Sequence, residues 1–199
     1  MLENLKSVLK RRYYILRYPP LRSSFRVKSD LTYRERLALY RLANDKKIIL
    51  EIGSYLGASA CCFAAQLKAR GAGQVICVDT WNNDAMSEGG WDTFAQFVKN
   101  TAPFLSLVRS VRGFSTDVVE TIRNSIEELD LLFIDGDHSY QGVKSDWEAY
   151  KKFLKPGSVV VFHDWGWADG VKRVVNEDVL PLVDSVESLP NMWWGTIKG

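Results

Sequence analysis

From Lys47 onward the chain alternates short, nearly continuous apolar runs with longer segments whose apolar positions recur every three or four residues. The runs are KIILEI, QVICVD, LVRSVR, LDLLFID and SVVVFH. Continuous apolar runs suit strands covered on both faces, and the intervening helices suit right-handed crossovers of a parallel sheet. The pattern predicts a doubly wound, Rossmann-like α/β fold. In YQGVKSDWEAYKKFL, Val143, Trp147, Tyr150 and Leu154 recur at intervals of four, three and four, one apolar helix face. Lys155-Pro156-Gly157 is expected to stop that helix and launch the next strand. Two further β-like pieces, Leu182 to Val186 and Met192 to Ile197, predict an antiparallel hairpin at the sheet edge and a total of seven strands.

Ahead of this body, residues 1–30 read as a basic helical extension closed by Pro19 and Pro20, leaving 31–199 as the main domain. Thr32 and Glu35 have capping-box spacing, so a helix is expected to about Ala43. The net charge of +2 hides an asymmetry: Lys6, Lys10, Arg11, Arg12, Arg17, Arg22, Arg26 and Lys28 stand against Glu3 alone, and the rest of the chain is net acidic. Such a stretch suits a solvated helix, a membrane-surface contact or a partner contact. No nucleic-acid partner is expected. An apolar fraction of 46% and a charged fraction of 25% are ordinary for a globular domain. No apolar run reaches membrane-spanning length, and the start lacks a secretory signal pattern. Cys61, Cys62 and Cys77 lie in apolar stretches without metal-ligand spacing, as buried thiols of a reducing compartment do; a cytoplasmic location is the expectation.

In open parallel sheets ligands lie beyond the carboxyl ends of the strands, most often at the turn after the first one. Here that turn runs Glu51-Ile52-Gly53-Ser54-Tyr55-Leu56-Gly57. Gly53 allows a sharp bend, and Gly57 allows a helix start to approach a ligand closely. The spacing E-x-G-x-x-x-G differs from the pyrophosphate-binding G-x-G-x-x-G, and Glu51 disfavours an anion while favouring a ligand with an ammonium and a sulfonium. Asp79 closes the second run, 28 positions after Glu51, where a carboxylate can accept from ribose hydroxyls. On these residues the chain resembles the class I S-adenosylmethionine-dependent methyltransferases from about residue 45 to 199. Glu51, Gly53 and Gly57, with Ser54 between them, match the first motif of that family, and Asp79 matches the ribose-binding acid. By the same resemblance Gly113-Phe114-Ser115 would lie near adenine and Trp81 would cover its face.

The fourth run ends FIDGDHSY and the fifth VFHDWGW, gathering Asp135, Asp137, His138, His163 and Asp164. Ionisable groups converge this way for chemistry more readily than for packing. Two mechanisms are open. In one, Asp135, His163 and Asp164 hold Mg2+ or another divalent cation that acidifies a substrate hydroxyl, and His138 takes the proton. In the other no metal binds, and His138 is the sole base, oriented by Asp135 or Asp137. These segments resemble those of sugar and macrolide-sugar O-methyltransferases, of the macrocin O-methyltransferase kind. They depart from the catechol-type pattern, in which an acid-amide pair occupies the place of His163-Asp164.

WNNDAMSEGGWDTF, from Trp81 to Phe94, is longer than usual for a strand-to-helix connection and reads as a lid, with Trp165 and Trp167 at the same mouth. The resulting expectation is an O-methyltransferase acting on a hydroxyl of a small molecule or saccharide. A metal-dependent hydrolase and a non-catalytic S-adenosylmethionine-binding adaptor are the alternatives. A homodimer is allowed by the sequence and demanded by nothing in it.

Overall fold

Residues 2–82 and 89–199 are described by the computed structural model. Seven strands form one sheet: β1 (Ile48–Ile52), β2 (Gln74–Asp79), β3 (Val108–Arg112), β4 (Leu129–Ile134), β5 (Leu154–His163), β6 (Val183–Leu189) and β7 (Met192–Ile197). Their order is β3-β2-β1-β4-β5-β7-β6. The first five run parallel, and β7 is antiparallel to both β5 and β6, which is the expected doubly wound sheet with its terminal hairpin. Strand order reverses at β1, between β2 and β4, so a crevice opens above the carboxyl ends of these strands.

Strand alternation divides the core into two layers. Ile49, Val75, Cys77, Leu131, Phe133 and Val161 face α2 (Tyr33–Leu42), α3 (Ala58–Arg70) and α4 (Phe94–Thr101). Leu50, Ile76, Leu132, Val160 and Phe162 face α5 (Val119–Arg123), α6 (Tyr140–Tyr150) and α7 (Asp169–Val174). The three cysteines are buried and unpaired, as expected. Among the described residues no helix is long and apolar enough to cross a membrane.

Two details differ from the sequence reading. The helix expected to run through Leu154 ends at Tyr150, and Leu154 already belongs to β5. Lys155-Pro156-Gly157 lies inside the strand, at a register shift against β4. Ser158 closes the irregularity: its Oγ accepts from the Lys155 N–H at 3.0 Å and donates to the Leu129 carbonyl at 2.6 Å. The boundary expected after residue 30 is also no boundary in packing. Beyond α1 (Leu2–Arg17), Leu21, Phe25, Val27 and Leu31 are buried in the same core layer as α3. Each contributes roughly 1.5–3 kcal/mol of apolar burial. This strap is why α3 is buried all round from Ala58 to Ala65. Buried Arg36 secures it, donating to the carbonyls of Leu31 (3.1 Å), Val27 (3.3 Å) and Ser24.

Candidate active site

A cavity of about 1060 Å³ opens over the carboxyl ends of β1, β2, β4 and β5. That is at the upper end of the roughly 300–1,000 Å³ typical of small-molecule sites. Its wall begins at the β1–α3 turn. Gly53 has φ +84°, and a Cβ there would lie 2.1 Å from the Asp135 carbonyl oxygen, so the turn presses directly on the loop after β4. Asp79 ties the turn to β2. One carboxylate oxygen accepts from the Ser54 and Tyr55 N–H groups at 2.8 and 2.7 Å, and the other from the Trp81 N–H at 2.6 Å. Tyr55 (φ 43°), Trp81 (φ 52°) and Asp164 (φ 58°) are left-handed although none is glycine. Strain of about 1–3 kcal/mol per residue is typical of sites where the backbone is held for a purpose.

Gly53, Ser54, Asp79, Ser115, Asp135, His138, His163 and Asp164, all expected in the site, line this cavity. Glu51, Gly57 and Trp81 do not. Glu51 shares the strand face of Ile49 and pairs in register with Cys77, so alternation sends it under the turn toward α3. It is fully buried; its Oε2 accepts from Ser54 Oγ at 2.6 Å, and among the described residues its Oε1 has no hydrogen-bond partner. Burial pushes this carboxyl up to about 7, against the hydrogen bond from Ser54. Gly57 caps α3 at φ +86°, and a Cβ there would lie 2.8 Å from Thr101 Cγ2, so its requirement comes from packing against α4 rather than from a ligand. Trp81 is fully buried; its indole N–H donates to the Tyr55 carbonyl at 3.1 Å, and its ring meets Phe94 and Phe97 at 5.0 and 4.8 Å. It lies behind the turn, which it braces, rather than at the cavity wall. The central part of the expected lid, residues 83–88, lies outside the described residues.

Around the ends of β4 and β5 the acids and histidines form a continuous network. His163 is buried and its Nδ1 reaches Asp135 Oδ1 at 3.0 Å and Asp164 Oδ2 at 3.2 Å. The same Asp164 oxygen lies 2.8 Å from His138 Nε2, while its other oxygen accepts from Trp167 Nε1 (2.7 Å) and Asn191 Nδ2 (2.9 Å). Burial pulls the His163 pKa down, yet Asp135, Asp164 and Glu35 together hold it far above the ordinary imidazole range. Burial likewise acts to raise Asp164, but the two histidines hold it well below the usual carboxylate range. Asp135 is pushed upward by burial. His138 is raised, first by the hydrogen bond with Asp164.

The orienting carboxylate of His138 is therefore Asp164, and not Asp135 or Asp137 as the sequence suggested. Asp137 is exposed and turns back on its own loop, accepting from the Ser139 N–H and Oγ at 2.8 Å each. The side chains whose donor atoms converge also differ from the expected trio of Asp135, His163 and Asp164. Asp135, His138 and Asp164 each bring one donor atom within 4.8 Å of the others, whereas His163 lies buried beneath the two carboxylates with Nδ1 already shared between them.

Two contributors escaped the sequence reading. Asp146 on α6 is buried, lines the cavity, bonds Ser115 Oγ and is raised by burial to about 6. Its signal was present, since an acid stands among the apolar face residues Val143, Trp147 and Tyr150. Glu35 completes a capping box with Thr32 and also stands 3.8 Å from His163 Nε2, a second role that cap spacing cannot reveal.

Comparison with known proteins bears on the family and the fold. The profile of the family described as "Methyltransferase domain" matches residues 50–165, more than half of the chain. An uncharacterized protein of Sinorhizobium fredii, y4gI, is 33% identical over 118 residues, covering 58% of this chain and 13% of that protein. The chain spans less than half the length of the curated relatives it matches. Among solved structures, the apo form of a TDP-rhamnose 3'-O-methyltransferase of calicheamicin biosynthesis superposes with TM-score 0.66 at 17% identity, over 98% of this chain and 95% of that one. An O-methyltransferase from Bacillus cereus in complex with SAH gives TM-score 0.67 at 17% identity, over 94% and 96%. At such identities the likeness is one of fold.

Proposed function

The chain belongs to the methyltransferase-domain family, and from that premise we propose that it is an S-adenosylmethionine-dependent O-methyltransferase acting on a hydroxyl of a small molecule or saccharide. The observation that carries this reading is the His138–Asp164 pair, 2.8 Å apart at the wall of the cavity over the strand ends. S-adenosylmethionine, when bound, supplies an electrophilic methyl group. The cavity fits it: at the end of β2, Asp79 Oδ1 accepts, among the described residues, only the Trp81 N–H and keeps a lone pair for a ribose hydroxyl, and Ser115 with Asp146 offers polar partners beside the β3 end.

His138 serves as the general base. Asp164 engages Nε2 and leaves Nδ1 to accept the proton of the acceptor hydroxyl. The carboxylate fixes the tautomer and stabilises the imidazolium that forms, while Trp167 and Asn191 fix the carboxylate. A base placed this way contributes about 10²–10⁴-fold. The test supplies methyl-labelled S-adenosylmethionine with a panel of hydroxylated small molecules and saccharides. A labelled methyl ether is expected, with kcat down roughly 10²–10⁴-fold in His138→Ala. Undiminished turnover in that variant with a chelator present would remove His138 from the mechanism.

One observation favours a second reading of the same chemistry, namely the convergence of Asp135, His138 and Asp164. Two carboxylates and one imidazole suit Mg2+ or another divalent first-row cation, which would lower the pKa of a hydroxyl bound beside it. His138 would then be a ligand. Loss of activity on chelation, restored by added metal, distinguishes this arrangement from the metal-free base.

A further inference from the structure

Helix α1 carries two apolar faces, and the fold consumes one. Tyr14, Ile15 and Tyr18 turn inward onto the core, where Tyr14 stacks on Tyr33 at 4.4 Å and meets Phe25 at 5.7 Å. Leu9, Tyr13 and Leu16 follow one another at intervals of four and three and are 55%, 60% and 80% exposed. That spacing puts the three on one stripe. They are among the largest apolar side chains exposed anywhere in the described residues. Lys6, Lys10 and Arg17 line one side of the stripe and Arg12 the other, all exposed. Lys10 and Arg17 lie over the rings of Tyr33 and Tyr18, and among the described residues none of these four cations is in an ion pair with an acid.

We propose that this face of α1 docks onto an anionic lipid surface. An apolar stripe flanked by cations is what a helix needs to lie in the plane of a bilayer: the apolar side chains enter the boundary between headgroups and acyl chains, and the cations meet anionic headgroups. Charge selects this occupant over a second copy of the chain, because two such faces brought together would oppose cation to cation. It also orients the molecule. The body beyond residue 28 is net acidic and repelled by an anionic surface, so α1 is the part that can approach. Leu21, Phe25 and Val27 are core residues, so deleting the leader through residue 28 would unfold the domain rather than release it; substitutions on the outer stripe are the cleaner probe.

The experiment is vesicle flotation of the full chain with phosphatidylcholine alone and with phosphatidylglycerol admixed, for wild type, L9S/L16S and K6Q/K10Q/R17Q. Wild type is expected to float with the anionic vesicles. Partitioning should fall at least roughly tenfold without phosphatidylglycerol, in K6Q/K10Q/R17Q or at raised salt. L9S/L16S should also lose it, with thermal unfolding unchanged because both leucines are exposed. Failure to bind anionic vesicles, or binding indifferent to L9S/L16S, overturns the proposal. So does a dimer in sedimentation equilibrium that L9S/L16S dissociates, which would give the face to a second copy. Retention on an acidic polynucleotide without vesicle binding overturns it as well.

Discussion

Replacing Asp164 with asparagine changes one atom and removes the charge that holds both histidines. The wild-type carboxylate takes Trp167 and Asn191 on one oxygen and His138 and His163 on the other. All four partners are donors, so in either orientation the amide NH2 faces a donor pair. Hydrogen bonds to charged groups are worth about 1.5–3 kcal/mol each, and stripping the partner from a buried charge costs about 3–5 kcal/mol. His163 keeps Asp135 at 3.0 Å. A net loss of about 2–4 kcal/mol is therefore expected for D164N. Catalysis should suffer more, with kcat down about 10²–10⁴-fold as the base loses its tautomer. The pH dependence carries the signs. Asp164, held low, stabilises the fold above the ordinary carboxylate pKa of about 3.9, and that stabilisation is lost as pH falls below it. His163, held high, stabilises it fully below the unfolded imidazole pKa of about 6.5, and progressively less as pH rises above it. Both express one pair and count once. Wild-type urea unfolding should peak between these values, and D164N should flatten both limbs. Stability within about 1 kcal/mol of wild type, with kcat within threefold, would refute this view of the network.

Glu51→Gln should stabilise the protein at pH 8 relative to pH 5. The carboxyl is raised to about 7, so its ionisation costs stability between the unfolded value and that pH, on the order of 3 kcal/mol, and denaturant titrations at the two pH values read it. Gly53→Ala must place a methyl against the Asp135 carbonyl and strain a positive φ; a loss of at least about 3 kcal/mol by calorimetric unfolding is expected, with cosubstrate binding abolished. Glu35→Gln keeps the capping box with Thr32 but removes the charge facing His163, whereas Thr32→Ala removes only the cap at about 1 kcal/mol. Steady-state kinetics should therefore show lower kcat for Glu35→Gln and near wild-type kcat for Thr32→Ala. Trp81→Phe leaves the Tyr55 carbonyl without its indole donor, and should raise the cosubstrate KM while costing about 1–3 kcal/mol in thermal unfolding.

What the sequence could reveal follows the range of the interactions involved. Strand runs, the terminal hairpin and the Thr32–Glu35 cap depend on neighbours along the chain, and the structure has them. Convergence of Asp135, His138, His163 and Asp164 was legible because strand ends in a parallel sheet point one way. Which acid orients His138 was not, since the Asp164–His138 contact joins the loops after two different strands, and Asp164 has a left-handed backbone that no spacing rule encodes. The burial of Glu51 and Trp81 was not legible for a related reason: strand parity and the aromatic layer of Phe94 and Phe97 set them behind the turn. Composition made residues 1–30 look detachable, but four apolar residues scattered through 21–31 make most of that strap part of the core.

The most direct test of the central claim is calorimetric titration of the folded protein with S-adenosylmethionine and with its demethylated product. Saturable one-to-one binding of both is expected, unchanged in His138→Ala because that residue acts on the acceptor proton. Absence of heat from either ligand, with the wild-type fold intact, would contradict it.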